Sequence, residues 1–334
     1  MFKIENKIIG NRSPVYIIAE IGINHNGNLK LCKKMITKAK KCGADAVKLQ
    51  ISNPKYSYCK NTKSYKIFTK NNLDITQLTK VKNFCNKINI TLFATPGDFQ
   101  SLDIIKKLKF PAIKISSGLL TNLPLIKKSA ETNLPIILST GMAYFKEIKR
   151  AVEILKKRKI KNFAILKCTS LYPSPSNTVN LRSIKSLKKF KVPIGFSDHT
   201  QNNDACLAAV SLGATIIEKH FTYNKNYKVP DKKISADPTE FKNLVNSIRN
   251  IEKLLGKEKE FPTSAEKVKR RINHRSIISV KSLKKGEKFD YDNIALKRSA
   301  NGRPGLDPRF FFKILGKKSK KNLIKDTKIN KTHF

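Results

Sequence analysis

Short β-branched runs alternate with longer amphipathic stretches through the first 255 residues of this 334-residue chain. The short runs cover 15–21, 46–50, 91–95, 112–116, 136–140, 163–168, 194–198 and 215–220. Each is rich in Ile, Val and Phe and nearly free of polar residues until its last positions. That is the pattern of strands buried on both faces of a parallel sheet. Between them, apolar positions recur at helical spacing over 29–42, 75–87, 100–107, 123–132, 145–157, 181–188, 204–212 and 239–255. Gly43, Pro111, Pro135, Pro193 and Gly213 punctuate the returns from helix to strand. Eight such units in this length predict an α/β chain folded as a (β/α)8, or TIM, barrel over residues 1–255. An open doubly wound sheet is the alternative, but the glycine fingerprint of a dinucleotide site is missing.

The period is lost after Leu255. Residues 256–273 are charged and read as a linker with room for a short helix. From His274 to the end, short apolar runs and turn residues such as Gly286, Gly302, Pro304, Gly305 and Gly316 predict a small strand-and-turn domain, 274–334.

Charge changes this picture little. The formal net charge is +45, carried by 58 Lys and 11 Arg spread along the whole chain. With Asn and Ile also abundant and Trp absent, this reads as a coding bias towards Lys, Asn and Ile. A nucleic-acid binder more often concentrates Arg and aromatics on one element, so no specific nucleic-acid partner is expected. Such a surface still sticks to polyanions at low salt. Six Cys show no paired spacing and read as reduced thiols. No signal peptide or apolar span long enough for a bilayer is evident, so a cytoplasmic protein without a membrane partner is expected.

The candidate chemistry lies at the carboxyl ends of the eight runs, where the loops of such a barrel converge. Glu20, Lys48 and Gln50, Thr95, Lys114 and Ser117, Ser139, Lys167 to Ser170 with Tyr172, Ser197 to His199, and Glu218 to His220 all fall there. Lys48 and Lys114 interrupt apolar strands, where an unpaired ammonium is costly to bury. A bound phosphate or carboxylate would offset that cost, with the hydroxyls of Thr95, Ser117, Ser139 and Ser197 completing the cradle. The plainer reading of a lone rim lysine is a salt bridge to a neighbouring carboxylate. His199 and His220 close consecutive strands and could share one divalent cation, for which Mn, Fe, Co or Zn suits imidazole. Glu20, Asp198, Glu218 and Asp231 are the nearby carboxylates. His25 reads as a turn-stabilising donor and Cys168 as a buried, inert thiol. Lys167 and Lys219 alternate with Cys168 and His220 and so point the other way.

The segments EIGINHNG at 20–27, GADAVKLQ at 43–50, KISSG at 114–118, STGM at 139–142, Tyr172-Pro173, GFSDHT at 195–200 and EKHF at 218–221 resemble the sialic acid (N-acetylneuraminate) synthase family. The tail, with HRSII at 274–278, KKGE at 284–287 and Lys297-Arg298, resembles that family's C-terminal antifreeze-like (SAF) domain. The resemblance implies condensation of phosphoenolpyruvate with the open-chain form of an N-acetylated amino sugar, giving a nine-carbon 2-keto acid and phosphate. N-acetylmannosamine is the default acceptor; 2,4-diacetamido sugars leading to legionaminic or pseudaminic acids are the alternatives. By the same resemblance Lys48, Thr95, Lys114, Ser117, Ser139 and Ser197 hold phosphoenolpyruvate. His199 and His220 hold a divalent metal, Mn2+ first, with Mg2+ or Co2+ as alternatives. Glu20, Gln50, Ser170, Tyr172 and Asp231 line the acceptor pocket, and Glu20 orients hydroxyls or moves a proton. A head-to-tail homodimer would let the SAF domain cap its partner's barrel, with Arg298 reaching the N-acetyl group. The chain departs from the family pattern at Leu119, Ser170, Val229, Lys232 and Ser299-Ala300, on the acceptor side. Two other readings compete: a synthase acting on a phosphorylated aldose, and a noncatalytic polyanion-binding barrel.

Overall fold

The computed structural model describes residues 2–10, 13–298 and 305–334, which divide into two units, 1–256 and 257–334. Eight parallel strands close into a barrel in the first unit. They are β1 (Tyr16–Gly22), β2 (Ala46–Ile51), β3 (Thr91–Pro96), β4 (Ile113–Ile115), β5 (Ile136–Ser139), β6 (Phe163–Cys168), β7 (Ile194–Asp198) and β8 (Ile216–His220). The last strand pairs with the first, Ile216 beside Tyr16 and His220 beside Glu20, so the sheet has no edge. Each strand agrees with its expected run to within one or two residues. Closure excludes the open doubly wound sheet.

The helices follow from the local sequence. Phe99–Lys107 starts where the Asp98 carboxylate accepts the Ser101 backbone N–H, and Pro238–Leu255 starts with a reciprocal cap between Asp237 and Glu240. Their apolar faces pack on the outer wall in one continuous core that includes Met35, Leu102, Leu155 and Phe241. The stretch expected as a helix over 181–188 is helical but irregular: a 3-10 turn, Leu181–Ser183, one α-helical turn, Ile184–Leu187, and a second 3-10 turn, Lys188–Phe190. Two helices in the loop after β2, Pro54–Ser57 and Lys63–Asn71, were not expected.

A second, inner core fills the lower lumen with Ile18, Phe93, Ile137, Leu166 and Ile216. The chain start plugs it from below. An antiparallel hairpin, Phe2–Ile4 with Lys7–Ile9, inserts Phe2, Ile4 and Ile9 into that core. Asn162 holds the hairpin by exchanging hydrogen bonds with the Lys3 backbone at 2.9 and 3.0 Å. Apolar side chains thus occupy the lower half of the lumen, and polar groups are left at the carboxyl rim.

The second unit has its own small core of Ile277, Leu283, Phe289, Ile294, Leu306, Ile314, Leu323 and Ile329. Strands Arg275–Ser279 and Ile294–Arg298 pair antiparallel, and isolated bridges tie Leu283 to Leu323 and Ile278 to Lys328. Part of the expected linker is a ten-residue helix, Ser264–Asn273, capped reciprocally by Thr263 and Glu266. Among the described residues, no helix is long and apolar enough to cross a membrane.

Candidate active site

Strand alternation sends Glu20, Lys48, Lys114, Glu218 and His220 into the upper lumen, above the apolar plug. All five are buried. The lysines are not unpaired. Lys48 Nζ lies 3.1 Å from Glu20 Oε2 and 3.5 Å from Glu218 Oε2, and Lys114 Nζ lies 2.8 Å from Glu218 Oε1. The plainer reading of each lysine is therefore correct without a ligand, but the pairs are fused into one cluster of two ammonium and two carboxylate groups. Ser197 Oγ donates to Glu218 Oε1 at 2.8 Å, and Gln50 Nε2 donates to Glu20 Oε1 at 2.9 Å. Thr95 Oγ1 accepts from Lys48 at 3.5 Å.

Burial and charge act in opposite directions across this cluster. Burial disfavours the Lys48 ammonium, yet Glu20 and Glu218 outweigh it and push its pKa up. At Lys114 burial wins, helped by the nearby Lys48 charge, and the pKa falls below the usual lysine range. Burial opposes ionisation of Glu218 too, but its two lysines hold it far below the ordinary carboxylate range. Lys114 is thus the more easily neutralised cation, although it makes the shorter ion pair.

The two imidazoles sit beside this cluster, with ring centroids 5.3 Å apart. His199 Nδ1 lies 2.6 Å from the Thr169 carbonyl, which directs its Nε2 away from the backbone. Tyr172 stacks on His199 at 4.2 Å and meets His220 edge-on at 6.1 Å. His220 Nδ1 lies 3.4 Å from Asp231 Oδ2. Cys168 is no isolated thiol: its Sγ lies 3.7 Å from His199 Nδ1. Burial opposes both charged forms, but their mutual contact outweighs it, lowering the Cys168 pKa and raising that of His199.

Two glycines show how closely the polar groups converge. A side chain on Gly22, at φ +54°, would come within 3.1 Å of Glu20 Oε1, 3.3 Å of Gln50 Nε2 and 3.6 Å of Asp231 Oδ2. One on Gly141 would strike Ser170 Oγ at 2.2 Å and Ser117 Oγ at 2.7 Å. Ser117 Oγ in turn accepts the Gly141 backbone N–H at 3.0 Å. Two of these groups lack partners. Ser139 Oγ and Ser170 Oγ are buried without a hydrogen bond, while Glu20 Oε2 and His220 Nδ1 have only their ionic contacts with Lys48 and Asp231. Buried polar atoms are nearly always satisfied; two orphan hydroxyls beside one ion cluster mark a place built for a ligand. A cavity of about 520 Å³ opens beside it, lined by Gln50, Thr95, Ser117, Ser170 and Tyr172 together with the apolar Phe68 and Met142.

The barrel residues named from sequence thus form one connected constellation. Arg298 is exposed on Ile294–Arg298 of the second unit, and Ser299-Ala300 lie outside the described residues. Glu218, one of four carboxylates that the sequence places near the imidazoles, pairs with both lysines. It stands two residues before His220, so alternation alone places both in the lumen. His25 is buried and accepts the Gly27 N–H at 3.1 Å through Nδ1, rather than donating there. Lys219 does point away from the lumen, but into a buried ion pair with Asp198 at 2.6 Å.

The profile of the NeuB family matches residues 35–260, more than half of the chain. This chain belongs to the NeuB family. An uncharacterized protein of Methanocaldococcus jannaschii is 41% identical over 97% of this chain and 96% of its own length. The N,N'-diacetyllegionaminic acid synthase of Campylobacter jejuni is 42% identical over 93% of this chain and 97% of its own. Among solved structures, an N-acetylneuraminic acid synthetase from Leptospira borgpetersenii superposes with a TM-score of 0.77 at 36% identity, covering 81% of this chain and 96% of that one. The protein is an enzyme of the NeuB synthase type, and its barrel is the barrel of that family.

Proposed function

We propose that this enzyme joins phosphoenolpyruvate to the open-chain form of an N-acetylated amino sugar, consuming water and releasing phosphate to give a nonulosonic acid. The observation that carries the reading is the upper lumen: two buried ammonium groups and a ring of hydroxyls on one side, two imidazoles and the Asp231 carboxylate on the other, with the Ser139 and Ser170 hydroxyls left without partners. Phosphoenolpyruvate brings a phosphate and a carboxylate, which suit Lys48, Lys114, Thr95, Ser117, Ser139 and Ser197. Its anionic groups take over ammonium contacts now shared with Glu20 and Glu218, and the Ser139 hydroxyl gains the partner it lacks. Released from Lys48, Glu20 is free to accept a hydroxyl proton of the sugar, held in place by Gln50. Ser170, Tyr172 and Asp231 complete the acceptor side, and the Tyr172 ring shields the imidazoles from water.

His199 and His220 would hold a divalent cation, with Mn2+ the first candidate and Mg2+ or Co2+ next. The donors fit: His220 Nδ1 has only an ionic contact with Asp231 at 3.4 Å, and His199 has one ring nitrogen free of the backbone contact. No preformed group of three His, Cys, Asp or Glu ligands exists among the described residues, so substrate and water would supply the other positions. When bound, such a cation supplies Lewis acidity at the sugar's carbonyl oxygen. Arg298 of one copy would reach the N-acetyl group in its partner's barrel within a head-to-tail homodimer, the second unit acting as an SAF cap.

The test is phosphate release from phosphoenolpyruvate with N-acetylmannosamine, a 2,4-diacetamido sugar or arabinose 5-phosphate, followed by product mass. Release with an acetamido sugar alone supports the reading. Release only with the phosphorylated aldose, or with none of the three, overturns it. The name of the Campylobacter relative is what puts the diacetamido sugar in the assay. The dimer is tested by mixing His220→Ala and Arg298→Ala chains, each inactive alone; recovered turnover supports sites shared between copies.

A further inference from the structure

The residues that precede the two imidazoles form an ion pair on the opposite face of the barrel wall. Asp198 ends β7, Lys219 lies one residue from the end of β8, and the two are register partners. Both are fully buried. Lys219 Nζ donates to Asp198 Oδ2 at 2.6 Å, the Thr200 carbonyl at 2.6 Å and the Asn202 carbonyl at 2.9 Å, which uses all three ammonium protons. Asp198 Oδ1 accepts the Thr200 N–H at 2.9 Å, and Oδ2 accepts Thr200 Oγ1 at 3.1 Å and Cys206 Sγ at 3.2 Å. Among the described residues, every side-chain hydrogen-bond partner of the pair lies within the 198–206 segment or in the pair itself. The network ties the loop that carries His199 to the strand that carries His220.

A buried ion pair is weak evidence for stability, because desolvation offsets most of the attraction. Here the pair has a geometric consequence. His199 follows Asp198 and His220 follows Lys219, so fixing the first two side chains fixes the backbone from which both rings project. The rings receive further anchorage: the His199 carbonyl accepts the Ser174 N–H at 2.9 Å, and the His220 carbonyl accepts the Ala236 N–H at 2.8 Å.

The geometry points to Asp198 and Lys219 as positioning residues that set the spacing of the His199 and His220 rings for a shared divalent cation. The inference rests on the metal reading proposed above. Neither residue touches the lumen lysines, so phosphoenolpyruvate binding should not depend on them.

The experiment uses the full chain with both residues made neutral, Asp198→Asn with Lys219→Met, so that no buried charge is left alone. Mn2+ affinity is read by the electron paramagnetic resonance of free ion, without substrates. Phosphoenolpyruvate affinity is read by calorimetry in chelator, and folding by circular dichroism. The expected result is Mn2+ binding weaker by about 10- to 100-fold, with phosphoenolpyruvate affinity within about threefold of the unaltered chain. Should the double variant not fold, Thr200→Val removes one hydroxyl contact to Asp198, leaves both charges paired, and is expected to weaken Mn2+ by about threefold to tenfold. Mn2+ affinity within twofold of the unaltered chain, in a folded variant, overturns the proposal. Parallel loss of both ligands also overturns it, in favour of a general structural role. Absence of Mn2+ binding by the unaltered chain removes the metal reading and this inference together.

Discussion

The barrel carries two buried ionic groups, one on each face of its wall, and the two differ in how completely they are satisfied. Outside, Asp198 and Lys219 meet each other and have their remaining hydrogen bonds met by Thr200, Asn202 and Cys206. Inside, Glu20, Lys48, Lys114 and Glu218 pair among themselves, yet the Ser139 and Ser170 hydroxyls beside them are left without hydrogen bonds. A satisfied buried ion pair is scaffolding; an incompletely satisfied one stores free energy that a ligand can recover. Burial and charge alone do not separate them, since both groups are inaccessible and close to neutral.

That contrast can be broken or sharpened by experiment. The largest effect is expected on the inner face. His220→Ala should lower turnover by about a thousandfold, about 4 kcal/mol in activation free energy, while the melting temperature stays near that of the unaltered chain. Turnover within tenfold would show that the imidazole pair is not part of the machinery. Lys114→Met leaves Glu218 buried with its weaker partner, Lys48 at 3.5 Å. It should cost about 3–5 kcal/mol in denaturant unfolding and abolish phosphoenolpyruvate binding by calorimetry. Unfolding at the native midpoint would mean the inner cluster is not a coupled unit.

A third test uses pH. Burial lowers the pKa of His25, in the loop after β1, to about 4 against an ordinary 6.5, with a hydrogen bond to the Gly22 backbone opposing the shift. The unfolded chain therefore takes up a proton that the folded chain refuses. Stability from the neutral ring is complete above pH 6.5 and is lost as pH falls towards 4, by about 3 kcal/mol in all. His25→Gln should flatten the acid limb of melting temperature against pH; an unchanged limb would mean the ring is not the responsible group. The smallest effect is expected at Ser139. Because its hydroxyl has no partner, Ser139→Ala should change unfolding free energy by less than about 0.5 kcal/mol yet raise the KM for phosphoenolpyruvate about tenfold. A stability loss with unchanged KM would move Ser139 to the scaffold side of the comparison.

The barrel was legible because parallel strands buried on both faces leave uninterrupted Ile, Val and Phe runs, and every one of the eight had such a run. The hairpin Phe2–Ile9 escaped because three-residue strands alternate too briefly to show a period, and Lys3 and Lys7 mask the inward Phe2, Ile4 and Ile9. The helix Lys63–Asn71 escaped for a related reason: it carries only Tyr65, Ile67 and Phe68 as apolar positions, without Gly or Pro to bound it. Within the site, the positions of Lys48, Lys114, His199 and His220 followed from strand ends. Their partners did not. Choosing among Glu20, Asp198, Glu218 and Asp231 needs the strand order around the cylinder, which puts Glu20 beside both Lys48 and His220. Alternation alone would have ranked Glu218 with His220 and set Asp198 apart with Lys219.

The hairpin at the chain start has a kinetic meaning. By corking the lower mouth of the cylinder, Phe2, Ile4 and Ile9 turn it from a tube into a cup. On the proposed reaction, reactants and products would share the upper mouth, where Tyr172 lines the cavity. A molecule seated against the lysines at the bottom of the cup would then lie beneath any later arrival and would be the last to leave.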